Sequence, residues 1–159
     1  MLAGGGPEEE RLRRRLGPHA TFLGWLQGSV LADAYASADV FLFCSRTDTY
    51  GQVILEAQAS GLPVVAVGEG GPISLVEDGR TGVLCPPDAE VLGAAVASLA
   101  TSRRARERLA ASALTAVGAR TWERALRQLA AGYEAALLDG RVAAATSRRG
   151  GAFGGVLAA

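Results

Sequence analysis

Apolar residues along the chain fall into short continuous runs, separated by stretches with helical spacing. Residues 20–25 (ATFLGW), 39–45 (DVFLFCS), 63–67 (PVVAV) and 81–85 (TGVLC) have strand length, and the second and third carry the unbroken pattern of parallel strands covered on both faces. Residues 7–16 (PEEERLRRRL) read as a helix with acids in its first turn and arginines in its last, as the helix dipole favours. A second helix is expected over 29–38 with Ser29 as its N-cap, and a third over 51–60, closed by Gly61. Gly70, Gly71 and Pro72 open a short helix ahead of the strand at 81–85. Beyond Pro86 and Pro87, Asp88 caps a helix to about residue 100, and further helices follow over 102–118 and 121–139, the last capped by Thr121. Residues 140–159 show no periodic pattern and are expected to be a disordered tail.

Strands alternating with helices at this spacing predict an α/β fold: a Rossmann-like parallel sheet flanked by helices, with a helical C-terminal portion. One domain over 1–139 follows from that reading. In such sheets a ligand sits outside the carboxyl ends of the strands. Gly24, Ser45, Asp48, residues 66–71 and Cys85 all lie at those ends.

Composition narrows the chemistry. The chain has 159 residues, enough for one core, with 16 basic and 16 acidic side chains and no net charge. That balance argues against nucleic acid as a partner. Every basic residue is an arginine, so neither a P-loop lysine nor a Schiff-base lysine is available. Cys44 and Cys85 match no metal or redox spacing and read as buried free thiols. The Gly-rich, then charged, first twenty residues do not read as a signal peptide, and cytoplasm is the default expectation. Arg103, Arg104, Arg106 and Arg108 read as a solvated helix face, with contact to acidic lipids at the inner membrane face as the alternative. His19, in a Gly-Pro-His turn, reads as a surface residue.

The chemistry concentrates in residues 45–67, SRTDTYGQVILEAQASGLPVVAV. A helix beginning near Tyr50 and Gly51 presents unpaired backbone N–H groups and a positive dipole end, which suit a diphosphate. Gly51 lets an anion approach the backbone closely. Asp48 precedes the helix and Glu56 lies within it, so about 12 Å would separate them if the whole span were helical. At that distance two carboxylates suit hydroxyls at the two ends of an extended ligand better than a shared proton. A sugar and a ribose flanking a diphosphate fit the division. The plainer readings are that Asp48 caps the helix, that Gly51 marks a turn, and that Glu56 faces solvent.

The same stretch resembles the acidic-x7-acidic signature of the family 4 retaining glycosyltransferases, which have the two-domain GT-B fold. The likeness extends through FLGW, LADAYASADVFLFCS, TDTYGQVILEAQASGLPVVA, the glycine pair at 70–71, VEDGRTGVL and TWERALRQLAAGYEAAL. It is greatest to a bacterial, mannosyltransferase-like subgroup whose first acid is Asp within TDT. The resemblance implies a hexosyltransferase with a nucleotide-diphosphate sugar as donor substrate, no cofactor and no metal. Asp48 would be the catalytic acid position that contacts donor-sugar hydroxyls. Thr49, Tyr50, Gly51 and Gln52 would hold sugar and diphosphate through backbone amides. Val53 would pack on ribose or base, Glu56 would bind the ribose hydroxyls, and Gly24 and Trp25 would meet the nucleobase.

Departures from the family pattern shape the remaining expectations. Cys44 stands where the family usually has proline, and Ser74 stands where a glutamate often follows the glycine pair. The segment LAGGGPEEERLRRRL matches a region after the second strand of the donor domain, so the first strand and its phosphate-neutralising Arg and Lys have no counterpart. The acceptor domain has none either. The chain is therefore expected to be a truncated donor-binding part, inactive in transfer without the acceptor domain or a partner chain. Its alternative is a non-catalytic nucleotide-sugar-binding module. With both linking strands, the first and the second, absent from the middle of the sheet, residues 1–25 are expected to be displaced, poorly ordered or engaged with a partner. A dinucleotide-dependent oxidoreductase is disfavoured, because no strand is followed by G-x-G-x-x-G and a helix.

Overall fold

The computed structural model describes residues 1–48 and 50–150. The chain divides into two units, Met1–Val117 and Gly118–Ala159, and that boundary falls inside the 1–139 span of the sequence reading. Among the described residues the order is β1 (Leu2–Ala3), α1 (Glu9–Leu16), a single 3₁₀ turn (Gly17–His19), β2 (Phe22–Gly24), α2 (Gly28–Ala36), β3 (Phe41–Phe43), α3 (Gln52–Ala59), β4 (Val64–Val67), α4 (Pro72–Leu75), β5 (Gly82–Cys85), α5 (Ala89–Thr101), α6 (Arg103–Gly118) and α7 (Trp122–Gly150).

All the strand pairings are parallel, and they form two sheets, β1-β2 and β3-β4-β5. Strand β4 is the centre of the larger one. Val64 and Val65 pair with Phe41 and Leu42 on one side and with Gly82 and Val83 on the other. Period-two alternation sends Val64 and Ala66 into a cluster with Ile54, Ala57, Leu75 and Val76, and sends Val65 and Val67 into a second with Leu92, Leu99 and Leu109. Helices α3 and α4 thus supply one layer, and α5 and α6 the other. Every residue of β4 is buried, as its unbroken apolar run predicts.

Strand β3 departs from that prediction. Phe41 and Phe43 are only half-buried and Leu42 is 45% exposed. The cause is topological: β3 pairs with β4 alone and is an edge. In the doubly wound order 3-2-1-4-5-6, β2 and β1 take the third and second places, and β3, β4 and β5 the fourth to sixth. The first place, beside β3, has no strand among the described residues. Leu2–Ala3 thus supplies one of the two linking strands.

That pairing gives the strand at 20–25 a neighbour within residues 1–25, where the sequence reading left both linking strands absent. The Leu2 amide donates to the Thr21 carbonyl at 2.8 Å, and the Gly4 amide to that of Gly24 at 2.7 Å. A strand of two residues directly ahead of three glycines is too short to leave a periodic signal. Helix α1 carries ion pairs of helical spacing, Arg13 with Glu9 at 2.7 Å among them, and buries no residue.

Three smaller readings also change. Helix α2 begins at Gly28 after an extended Gln27, so Ser29 lies inside the first turn and caps nothing. Cys44, just past the open edge strand, is exposed, whereas Cys85 is a buried free thiol as expected. Helix α7 runs to Gly150, past the expected end at residue 139, and residues 151–159 of the expected tail lie outside the described residues. The capping predictions at Asp88 and Thr121 hold. The Asp88 carboxylate accepts from the Glu90 and Val91 amides at 2.8 and 3.0 Å, and the Thr121 hydroxyl from the Arg124 amide at 3.2 Å. No helix among the described residues is long and apolar enough to cross a membrane.

Candidate functional site

The loops leaving the carboxyl ends of β3 and β4 meet, and Asp48, Tyr50 and Gly51 lie where they do. One oxygen of Asp48, in the β3–α3 loop, accepts from the Tyr50 amide at 2.9 Å and from the Gly51 amide at 2.5 Å. The Asp48 carbonyl accepts from the Gly71 amide of the β4–α4 loop at 3.2 Å. A Cβ on Gly70, whose φ is +65°, would lie 3.2 Å from that same carbonyl. Outside this contact Arg46 and Glu69 form an exposed ion pair at 2.9 Å, which ties the two loops again. Thr49, a predicted site residue, lies outside the described residues.

Gly51 is the N-cap of α3, in the left-handed region with φ +68°. It is also enclosed, since a Cβ there would stand 3.0 Å from Leu75 Cδ1 and 3.3 Å from Ile54 Cδ1. The backbone conformation favours glycine here, and a side chain would in addition need the tips of Leu75 and Ile54 to give by a few tenths of an ångström. Turn punctuation alone would explain the first but not the second.

Along α3 the faces separate. Ile54 and Ala57 are buried against the sheet, Gln52 and Val53 are exposed, and Glu56 is half-buried. Glu56 does not simply face solvent. Its Oε2 accepts from the Tyr35 hydroxyl of α2 at 3.0 Å. The Tyr35 ring lies tilted on Phe41 of β3, with centroids 5.7 Å apart and planes at 53°. Burial, then the hydrogen bond to Glu56 and its negative charge, push the Tyr35 phenol up to about 12. Tyr35 thus stays protonated and donating across the neutral range.

Gly24 and Trp25 sit at the end of β2. Gly24 has φ +67°, and the Trp25 side chain is 83% exposed, with its indole nitrogen 3.1 Å from the point a Cβ on Gly5 would occupy. No hydrogen bond, ion pair or ring contact joins either residue to the Asp48–Glu56 segment among the described residues. The structure therefore brings Asp48, Tyr50 and Gly51 together, with Gln52, Val53 and Glu56 along the helix they open. Gly24 and Trp25 stand in the smaller sheet. The sequence reading missed three participants. Tyr35 read only as part of a helix, 21 residues from its partner, and the Arg46–Glu69 pair spans 23 residues. Neither pairing leaves a local signal.

Among the described residues no group of three His, Cys, Asp or Glu side chains is placed to hold a metal ion. The arrangement offers hydroxyl acceptors on Asp48 and Glu56, together with the amide-rich start of a helix.

Comparison with known proteins agrees with the fold. The model of the family described as glycosyl transferases group 1 matches residues 1–102. A GDP-mannose-dependent alpha-mannosyltransferase of Mycolicibacterium smegmatis is 42% identical over 139 residues, which cover 86% of this chain and 36% of the relative. The chain thus spans about a third of the length of this relative and of the mannosyltransferases of Mycobacterium tuberculosis and Corynebacterium glutamicum that it also matches. Sucrose-phosphate synthase from Thermosynechococcus elongatus superposes with a TM-score of 0.74 at 29% identity, over 87% of this chain and 38% of that one. HepE of Anabaena, solved in complex with UDP, gives a TM-score of 0.67 at 26% identity, over 81% and 36%. These structural neighbours are GT-B glycosyltransferases. The chain belongs to the glycosyl transferases group 1 family.

Proposed function

We propose that this chain is the donor-binding part of a retaining hexosyltransferase and holds a nucleotide-diphosphate sugar at the start of α3. The observation that carries the reading is the pair of carboxylates on one short helix and its leading loop. Asp48 is fixed at the N-terminal end beside the Tyr50 and Gly51 amides, and Glu56 is fixed on the flank by Tyr35. The diphosphate lies at the amides, where N–H groups and the helix dipole offset its charge. Asp48 accepts from the sugar hydroxyls and Glu56 from the ribose, while Val53, exposed in the first turn of the helix, packs on the nucleoside. Thr49 and Gln52 complete the loop around the sugar, and Gly24 and Trp25 meet the base. As negative charge grows on the departing diphosphate, preorganised amides stabilise it more than they stabilise the ground state.

Relatives support the class of donor. The mycobacterial mannosyltransferases use GDP-mannose by name, and HepE is solved with UDP. Residues 1–139 are the span proposed to form this donor domain. The complete transferase, acting on a lipid, saccharide or small-molecule acceptor, is the proposed setting, and the chain alone transfers nothing. Calorimetric titration of GDP-mannose and UDP-glucose, together with a transfer assay in a reconstructed full-length enzyme, tests this. Glu56→Ala weakens donor binding, whereas Asp48→Ala depresses kcat more than nucleotide affinity. Equal losses of nucleotide affinity in the two variants contradict the division of roles. Turnover by residues 1–159 alone contradicts the requirement for the rest of the enzyme.

A further inference from the structure

The Tyr35 hydroxyl is the one side-chain donor given to Glu56 among the described residues. It reaches across from a different helix, and its own position is fixed. Tyr35 lies in the last turn of α2, packs its ring on Phe41, and borders the cluster built on Ile54, Ala57 and Val64. A glutamate on a short helix otherwise keeps its rotamer freedom until a ligand arrives, and ordering such a side chain then opposes binding. The tyrosine imposes that order beforehand.

The stoichiometry of donors and acceptors suits a diol. An ionised carboxylate has two oxygens and about four acceptor sites. Tyr35 uses one, on Oε2. Oε1 remains open, with one further site on Oε2, so two ligand hydroxyls can donate together without displacing the phenol. A ligand with a single hydroxyl leaves one oriented acceptor unmatched, and sites built around such an acceptor reject the deoxy analogue.

We propose that Tyr35 is a positioning residue: its hydroxyl holds the Glu56 carboxylate in the orientation that accepts a cis-diol, and thereby sets discrimination between ribonucleotides and their 2′-deoxy counterparts. This rests on the reading above, in which Glu56 receives the ribose hydroxyls. It goes beyond that reading because the selectivity is assigned to a residue that touches no ligand.

The test is a cycle of protein and ligand changes, with GDP, UDP and their 2′-deoxy forms titrated calorimetrically into the wild-type chain, Tyr35→Phe and Glu56→Gln. Tyr35→Phe keeps the ring on Phe41 and removes only the hydroxyl. It weakens the better-bound ribonucleotide about tenfold and its 2′-deoxy form less than twofold, so the ribo/deoxy ratio collapses. Equal weakening of both ligands assigns Tyr35 a structural role and overturns the inference. Unchanged ribonucleotide affinity in Tyr35→Phe, with Glu56→Gln impaired, overturns it while leaving the role of Glu56 intact. If Glu56→Gln binds as wild type, or the wild-type chain binds neither ribonucleotide, the underlying reading fails and takes the inference with it. A thermal melt of each variant separates loss of fold from loss of recognition, and failure of Tyr35→Phe to fold counts against the proposal.

Discussion

The Gly51 amide donates to the Asp48 carboxylate at 2.5 Å, so the acid at the head of α3 sits on a backbone group the proposed function assigns to the donor. The Tyr50 amide is held in the same way. Asp48 is therefore both a local cap and a candidate ligand contact. The two roles separate by substitution. Asp48→Ala loses both acceptor contacts and is expected to lower stability by about 1 kcal/mol, while Asp48→Asn keeps an acceptor and loses only part of it. Urea unfolding of the two variants measures this. Identical stabilities would show that the carboxylate contributes nothing to the fold.

Gly51→Ala is expected to destabilise the chain by about 1–2 kcal/mol through the left-handed backbone alone. Contact of the new Cβ with Leu75, 3.0 Å away, adds to that cost. By comparison, Gly93→Ala in α5, where a Cβ would meet nothing within 4 Å, should be neutral or slightly stabilising. Midpoints of denaturant unfolding for the pair give the comparison, and equal effects would contradict the account of Gly51.

Amide hydrogen exchange should divide the two sheets. Strand β4 is paired on both sides and fully buried, whereas β1 and β2 pair only with one another and contain no buried residue. Amides of residues 64–67 are expected to exchange far more slowly than those of residues 22–24. Protection of 22–24 equal to that of 64–67 in a monomeric sample would show that the small sheet gains support elsewhere.

The raised Tyr35 phenol gives a signed pH dependence. The unfolded chain ionises this group near its ordinary value of 10.0, and the folded chain near about 12. Below that window both states are protonated and the contribution is whole. As pH rises through it, the unfolded state loses its proton first and stability falls. Urea unfolding across the window should show a steeper loss for wild type than for Tyr35→Phe. Parallel curves would mean that Tyr35 is not held protonated.

Much of this architecture is readable along the chain. Residues 63–67 announce β4 because a strand buried on both faces needs no polar alternation. Asp88 and Thr121 announce their helices because a cap is chemistry within three residues. The loop around Asp48 and Gly51 is legible for the same reason. Strand β1 is not, since two residues carry no period. The exposure of Leu42 and Cys44 is hidden too, because a continuous apolar run reports what a strand could bury and not whether a neighbour covers it. Glu56 is legible as an acid within a helix, yet the partner that orients it lies 21 residues away in the chain.

The central claim is that the start of α3 receives the diphosphate of a nucleotide sugar. Backbone amide NMR during titration with GDP-mannose, and separately with UDP-glucose, tests it most directly. The account predicts that one of them shifts the Tyr50, Gly51 and Gln52 amides most, as phosphate oxygens join or replace the Asp48 carboxylate, with Glu56 moving at the same ligand concentration. Saturable shifts confined to other parts of the chain, or none with either ligand, would contradict it.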